Sequence, residues 1–171
     1  MPDLLTHVLL AYAAIALATR ASDRLSAHHV PVAMVGAAVP DLAKIGLLVD
    51  FDAVSAALGV PVSPLAFHRF GGVVVLAGIG ALLVHRRERR LVFGLLSIAG
   101  VGHLILDAFV IRADGLAPPY LYPLTWWRPP AGNLYLSSDA WPAAIAILTA
   151  GLVWLGTTRT VTIPRSSERA D

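Results

Sequence analysis

The sequence predicts an all-α integral membrane protein, a single helical bundle of about five transmembrane helices. Three observations carry that expectation. Hydrophobic residues make up 57% of the chain and charged residues only 14%, against roughly 25% in a soluble domain. Mean hydropathy is +0.71 over 171 residues. Apolar runs of near-spanning length alternate with short segments that hold most of the arginine.

The first apolar run is Leu4–Thr19. It reads as a retained helix, because Met1-Pro2-Asp3 lacks a basic residue and no clear small-residue cleavage site follows. The second, Val30–Val49, is interrupted by Pro40-Asp41 and Lys44. The third is His68–Val84, the fourth Leu91–Ile111 and the fifth Ala140–Thr157. A span needs about 20 residues. The first and third are short, so they are expected to start in the interface or to sit in locally thinned bilayer. Arg20–His29, Asp50–Phe67, His85–Arg90 and Arg112–Asp139 read as loops, with Asp50, Asp52, Asp114 and Asp139 as solvated or capping groups. Residues 1–158 then form one transmembrane domain, and 159–171 a polar, frayed cytoplasmic tail.

Positive charge in short loops sets orientation. Arg20, Arg24, Arg86, Arg87, Arg89, Arg90, Arg159, Arg165 and Arg169 fall on one side. Arg69, Arg112, Arg128 and Lys44 fall on the other. Nine against four predicts a multi-pass protein of the cell membrane with the N-terminus outside and the C-terminus cytoplasmic. Loop arginines of this kind also explain the pI near 9.4 without nucleic acid as a partner. Protein partners are not legible. The aromatic run around Tyr120, Tyr122, Trp126 and Trp127 suits a headgroup-level belt, or a lip over a site.

Polar residues inside the apolar runs then stand out. His103 and Asp107 are four apart, so they share one helical face at a depth where ionisable groups are expensive. The charge-based topology puts His7, Asp41 and His68 in the same outer leaflet. His28, His29 and His85 fall among the arginines and read as interfacial. Three His and two Asp suit zinc, as one ion or two bridged by a carboxylate such as Asp107, with manganese as the harder alternative. Cysteine is absent, which excludes thiolate ligands and disulfides. Taken singly, these residues have plainer readings: a helix cap for Asp41, end-of-helix histidines, a hydrogen-bonded His103/Asp107 pair. Arg69 reads either as a phosphate contact or as a snorkelling cap. Lys44, one turn beyond Asp41, is either its ion-pair partner or a second phosphate contact.

The ordered set His7, Pro40-Asp41, His68-Arg69, His103-x-x-x-Asp107 and Tyr122-Pro123 resembles the YdjM-like family of membrane-bound, metal-dependent hydrolases, over roughly residues 1 to 125. The ligand order is also similar to the first part of the zinc-dependent phospholipase C fold and its nuclease relatives. That resemblance implies Asp41, His68, His103 and Asp107 around one zinc, with His7 and Asp107 at a neighbouring one. The chain departs from that fold in having no histidine after His103 and no mature N-terminal Trp, so one or two ions are expected rather than three.

The function expected is hydrolysis of a phosphoester in a lipid or lipid-linked substrate. A metal would lower the pKa of a water toward about 7, Asp41 or Asp107 would orient or deprotonate it, and Arg69 would hold the phosphate. The alternatives are a metal- or proton-coupled transporter or sensor, and a metal-stabilised structural membrane protein.

Overall fold

The computed structural model describes residues 4–159, and all regular structure in it is helical. The order is α1 (Leu4–Ala21), α2 (His29–Ala38) continuing as a 3₁₀ segment (Val39–Leu47), α3 (Phe51–Leu58), a 3₁₀ turn (Pro64–Ala66), α4 (Phe70–Leu82), α5 (Arg89–Asp107) and α6 (Trp141–Arg159). Beyond these, among the described residues, backbone pairing is limited to two isolated bridges, Val110–Tyr135 and Leu116–Pro130. The expected polar tail beyond Arg159 lies outside the described residues.

Four segments are long and apolar enough to cross a membrane: α1, α2 with its 3₁₀ continuation, α5 and α6. Of the about five spans expected, four reach spanning length, and the remaining helix, α4, has 13 residues. At ~1.5 Å per residue it covers ~20 Å, short of the ~30 Å hydrocarbon core. Other boundaries also differ. Val30–Val49 is not one α-helix, because Pro40 has no N–H to continue the ladder and the chain tightens to 3₁₀ from Val39. The fourth run ends at Asp107 rather than Ile111. The expected loop Asp50–Phe67 contains α3, started by Asp50, whose carboxylate accepts from the N–H groups of Asp52 and Ala53 at 3.0 and 3.1 Å.

Helices pack in the spatial order α6, α1, α2, α5, α4. At one end of α1, the Arg20 guanidinium donates to the Gly156 carbonyl of α6 at 2.6 Å. At the other end, Leu10 and Ile145 line a common cavity, so α1 and α6 run parallel. The helix ends therefore sort into two poles. Arg20, Arg24 and the turn Arg86–Arg90 mark one, and the start of α1, the 3₁₀ segment and the end of α5 mark the other. Glycine sets the closest approach. A Cβ at Gly36 would lie 2.7 Å from the Leu96 carbonyl, so only glycine lets α2 press onto α5.

The long connection between α5 and α6 folds over the second pole. Carbonyls of Tyr120 and Tyr122 accept from the first free N–H groups of α4, at Phe70 (2.7 Å) and Gly71 (2.9 Å). The Tyr135 hydroxyl donates to the Leu106 carbonyl at 2.6 Å. Beneath this cover, Val73, Leu104, Ala117 and Tyr120 form a buried cluster. Large apolar residues elsewhere point outward, among them Val75, Ile98, Leu152 and Trp154. Outward apolar faces on four spanning-length helices fit a protein whose solvent is lipid.

Candidate metal centre

His7, Asp41, His68, His103 and Asp107 meet at the covered pole. His7 sits in the second turn of α1, and the antiparallel course of α5 brings His103 and Asp107 to it. Both histidines and Asp107 are almost fully buried, at 2%, 1% and 1% exposure. Close packing at Gly36 carries the end of α2 against α5. There the His103 Nδ1–H donates to the Ala37 carbonyl at 2.7 Å. In the 3₁₀ register that carbonyl would need an N–H from residue 40, which is proline and has none. One turn on, the Pro40 carbonyl accepts from His68 Nδ1–H at 3.1 Å. His68 lies just before α4 rather than inside it, with Arg69 as the residue preceding the first turn.

These two backbone bonds fix one proton on each imidazole. A carbonyl only accepts, so Nδ1 is protonated in both rings, and Nε2 of each faces inward, as a lone pair in the neutral imidazole and as an N–H in the imidazolium. Inward lie carboxylates. His68 Nε2 is 2.8 Å from Asp107 Oδ2, and His103 Nε2 is 3.5 Å from the same oxygen and 3.9 Å from Asp41 Oδ1. His7 Nε2 is 3.3 Å from Asp107 Oδ1. Both ring nitrogens of His7, with His103 Nε2, Asp41 Oδ1 and Asp107 Oδ1, are buried without a hydrogen-bond partner. A proton on His68 would satisfy its own contact with Asp107 and leave those five atoms as they are. Nor do further protons fit well, since the His7 and His103 rings stack at 3.6 Å and two imidazolium faces repel.

A cation suits the arrangement. Bonds of ~2.1 Å in a tetrahedron place ligand atoms ~3.4 Å apart, and the observed separations of 2.8, 3.3, 3.5 and 3.9 Å bracket that edge. Two overlapping groups can hold an ion: His7, His103 and Asp107, and Asp41, His68 and His103. They share His103, whose single inward lone pair serves one ion at a time. Asp107 turns Oδ1 toward His7 and Oδ2 toward His68 and His103, the disposition of a bridging carboxylate. Donation of Nδ1–H to carbonyls is the outer-shell pattern of metal-bound histidine.

Around the cluster, Lys44 Nζ lies 2.9 Å from Asp41 Oδ2 and is half exposed. Of the two expectations for Lys44, ion pairing is the one present. The Arg69 guanidinium lies over the rings of Tyr122 (5.1 Å) and Trp126 (5.2 Å). Among the described residues no acceptor takes its N–H groups. Tyr120 packs its ring 5.7 Å from that of His68, and burial raises its phenol above the ordinary value, keeping it neutral. The Arg112 guanidinium donates to the Tyr120 hydroxyl at 3.4 Å. Farther out on the loop, the bonded guanidinium of Arg128 lowers the Asp114 carboxyl.

The structure thus gathers all five expected ligands and sets Arg69 beside them on the aromatic loop rather than against the carboxylates. One expectation is corrected. His29 is not interfacial but buried, with Nε2 3.4 Å from Glu88 Oε2. With His28 these form a third group of metal-capable residues, at the arginine pole. The one acid in the turn His85–Arg90 was the available signal for that pairing. The Ala37 and Pro40 carbonyls left no such signal, because any residue type supplies a carbonyl. No protein-family model, curated protein or solved structure matches this chain.

Proposed function

We propose that the chain is a membrane-embedded, metal-dependent hydrolase that cleaves a phosphoester of a lipid or lipid-linked substrate. The observation that carries this reading is the convergence of three histidines and two aspartates into two overlapping metal-capable groups that share His103, with five of their polar atoms buried and without a hydrogen-bond partner. Intramembrane ionisable residues are functional by default. A divalent ion, zinc by ligand chemistry, would supply Lewis acidity and a lowered pKa for a water. Either carboxylate is placed to take that water's proton, and Asp41 is the better candidate because Asp107 is committed to three histidines. Arg69, held flat by two aromatic rings with its donors unspent, would bind the phosphate bidentately.

In this reading α4 is a fifth, short crossing, and the arginine pole is cytoplasmic, which puts the centre at the outer leaflet of the cell membrane. The test is elemental analysis of the purified protein, followed by assays on phospholipid vesicles and a generic phosphodiester with and without chelator. Chelator-sensitive hydrolysis is expected. Stoichiometric metal with no hydrolysis of either substrate would overturn the enzyme reading.

One observation favours a transporter: the His28–His29–Glu88 group supplies ionisable residues at the opposite pole. Against it, His29 Nδ1 accepts the Ser26 N–H at 3.0 Å. Its proton is therefore on Nε2 and directed at Glu88, a hydrogen-bonded pair rather than a ligand. Metal or proton flux in proteoliposomes would decide for the transporter.

A further inference from the structure

The cleft between α1 and α5 has no part in the geometry of the cluster, yet it ends on it. It is a cavity of about 400 Å³, floored by Ala33 and Ala37 of α2 and walled by α1 and α5 residues such as Ala14 and Ile98. Its only polar lining residues are His7 and His103, which stand at one end. Small side chains open the cleft, and a Cβ at Gly102 would meet nothing within 4 Å. Small residues alone make no site. The second observation is that His7, which lines the cleft and is at least nine-tenths buried, has an Nδ1 without a hydrogen-bond partner that takes no part in the contacts of the cluster.

Chemistry narrows the occupant. A water-soluble ligand would find no polar group along the trough. The open side faces hydrocarbon, as the exposed Ile98 and Ile105 show. A single hydrocarbon chain is thin enough.

We propose that this cleft takes one hydrocarbon tail of the lipid whose phosphoester the centre cleaves. The tail enters sideways from the bilayer between α1 and α5 and leaves the head group at His7 and His103. This inference rests on the hydrolase reading for the identity of the bond cleaved, but tail binding is measurable without turnover.

The experiment uses the full chain in vesicles containing long-chain phosphatidylglycerol with a diazirine at the tail end. Photolabelling is expected on cleft residues of α1 and α5. Ala14→Trp plugs the trough about 10 Å from His7. The indole occupies the space the tail needs, so labelling of cleft residues is expected to fall to the level of the lipid-facing surface. Gly102→Leu, which adds its side chain into open space, is a second plug should the indole disturb folding. Val75→Trp, on the outward face of α4, should leave labelling unchanged. In parallel, the ratio of kcat/KM for long- over short-tailed substrate should fall in both plugged variants. Labelling spread over the lipid-facing surface, or indifferent to both plugs, would overturn the inference even if chelator-sensitive hydrolysis is present. Labelling confined to the cleft and lost on plugging, with no hydrolysis of any phosphoester, would support the tail site and overturn the hydrolase reading.

Discussion

Asp107→Asn is the sharpest perturbation of the cluster. The substitution keeps shape and removes charge from the one carboxylate that three histidine nitrogens approach, at 2.8, 3.3 and 3.5 Å. If an ion is bound there, a free metal concentration 100 times Kd contributes about 2.7 kcal/mol to stability. At about 2–4 °C per kcal/mol for a chain of this size, chelation should lower the wild-type Tm by about 5–11 °C. Asp107→Asn should unfold near the chelated wild type, and chelator should then change nothing. The assay is thermal unfolding in detergent of both proteins, with and without chelator. A cluster held by protons alone behaves otherwise. There, Asp107→Asn strands buried charge, a loss of about 3–5 kcal/mol, while chelator moves neither protein. That second pattern would refute the metal.

Other perturbations separate recognition, packing and the loop. Arg69→Gln should lower kcat/KM by about 10- to 100-fold, from the loss of about 1.5–3 kcal/mol of charge-assisted hydrogen bonding, with metal content unchanged; Arg69→Lys should recover part of it. Gly36→Ala forces a Cβ to within 2.7 Å of the Leu96 carbonyl and should destabilise by about 1–3 kcal/mol, read as a lower Tm. Burial pushes the Tyr135 phenol up to about 12, against 10.0 ordinarily. The unfolded chain therefore loses that proton first, and stability should fall as pH rises from about 10 to about 12. Tyr135→Phe should remove this alkaline loss, and should weaken the protein by about 1 kcal/mol at neutral pH through the missing bond to Leu106.

Periodicity and charge made much of the bundle legible. All five apolar runs are helical at their centres, and among the described residues Arg20, Arg24 and the turn Arg86–Arg90 share one pole, with Arg69, Arg112 and Arg128 at the other. His103 and Asp107 were visible as a pair because spacing four has one meaning on a helix. Reading His7, Asp41 and His68 into the same group needed only the alternation of helix direction. What stayed hidden depends on backbone or on tertiary contact. Pro40 marked an interruption, but not that the Ala37 and Pro40 carbonyls would fix two imidazole tautomers. The α3 helix was missed because its eight residues bury nothing and sit in a segment that reads as loop. His29 looked interfacial until α5 brought Glu88 to it from 59 residues away.

The most direct measurement is zinc-edge X-ray absorption on the detergent-purified protein loaded with zinc. The expected spectrum has a first shell of nitrogen and oxygen only, at ~2.0–2.1 Å, with the outer-shell scattering of at least two imidazoles that His103 and His68 or His7 would contribute. That imidazole signal should vanish in Asp107→Asn. A first shell of water oxygens, without imidazole in the wild type, would contradict a metal at this cluster.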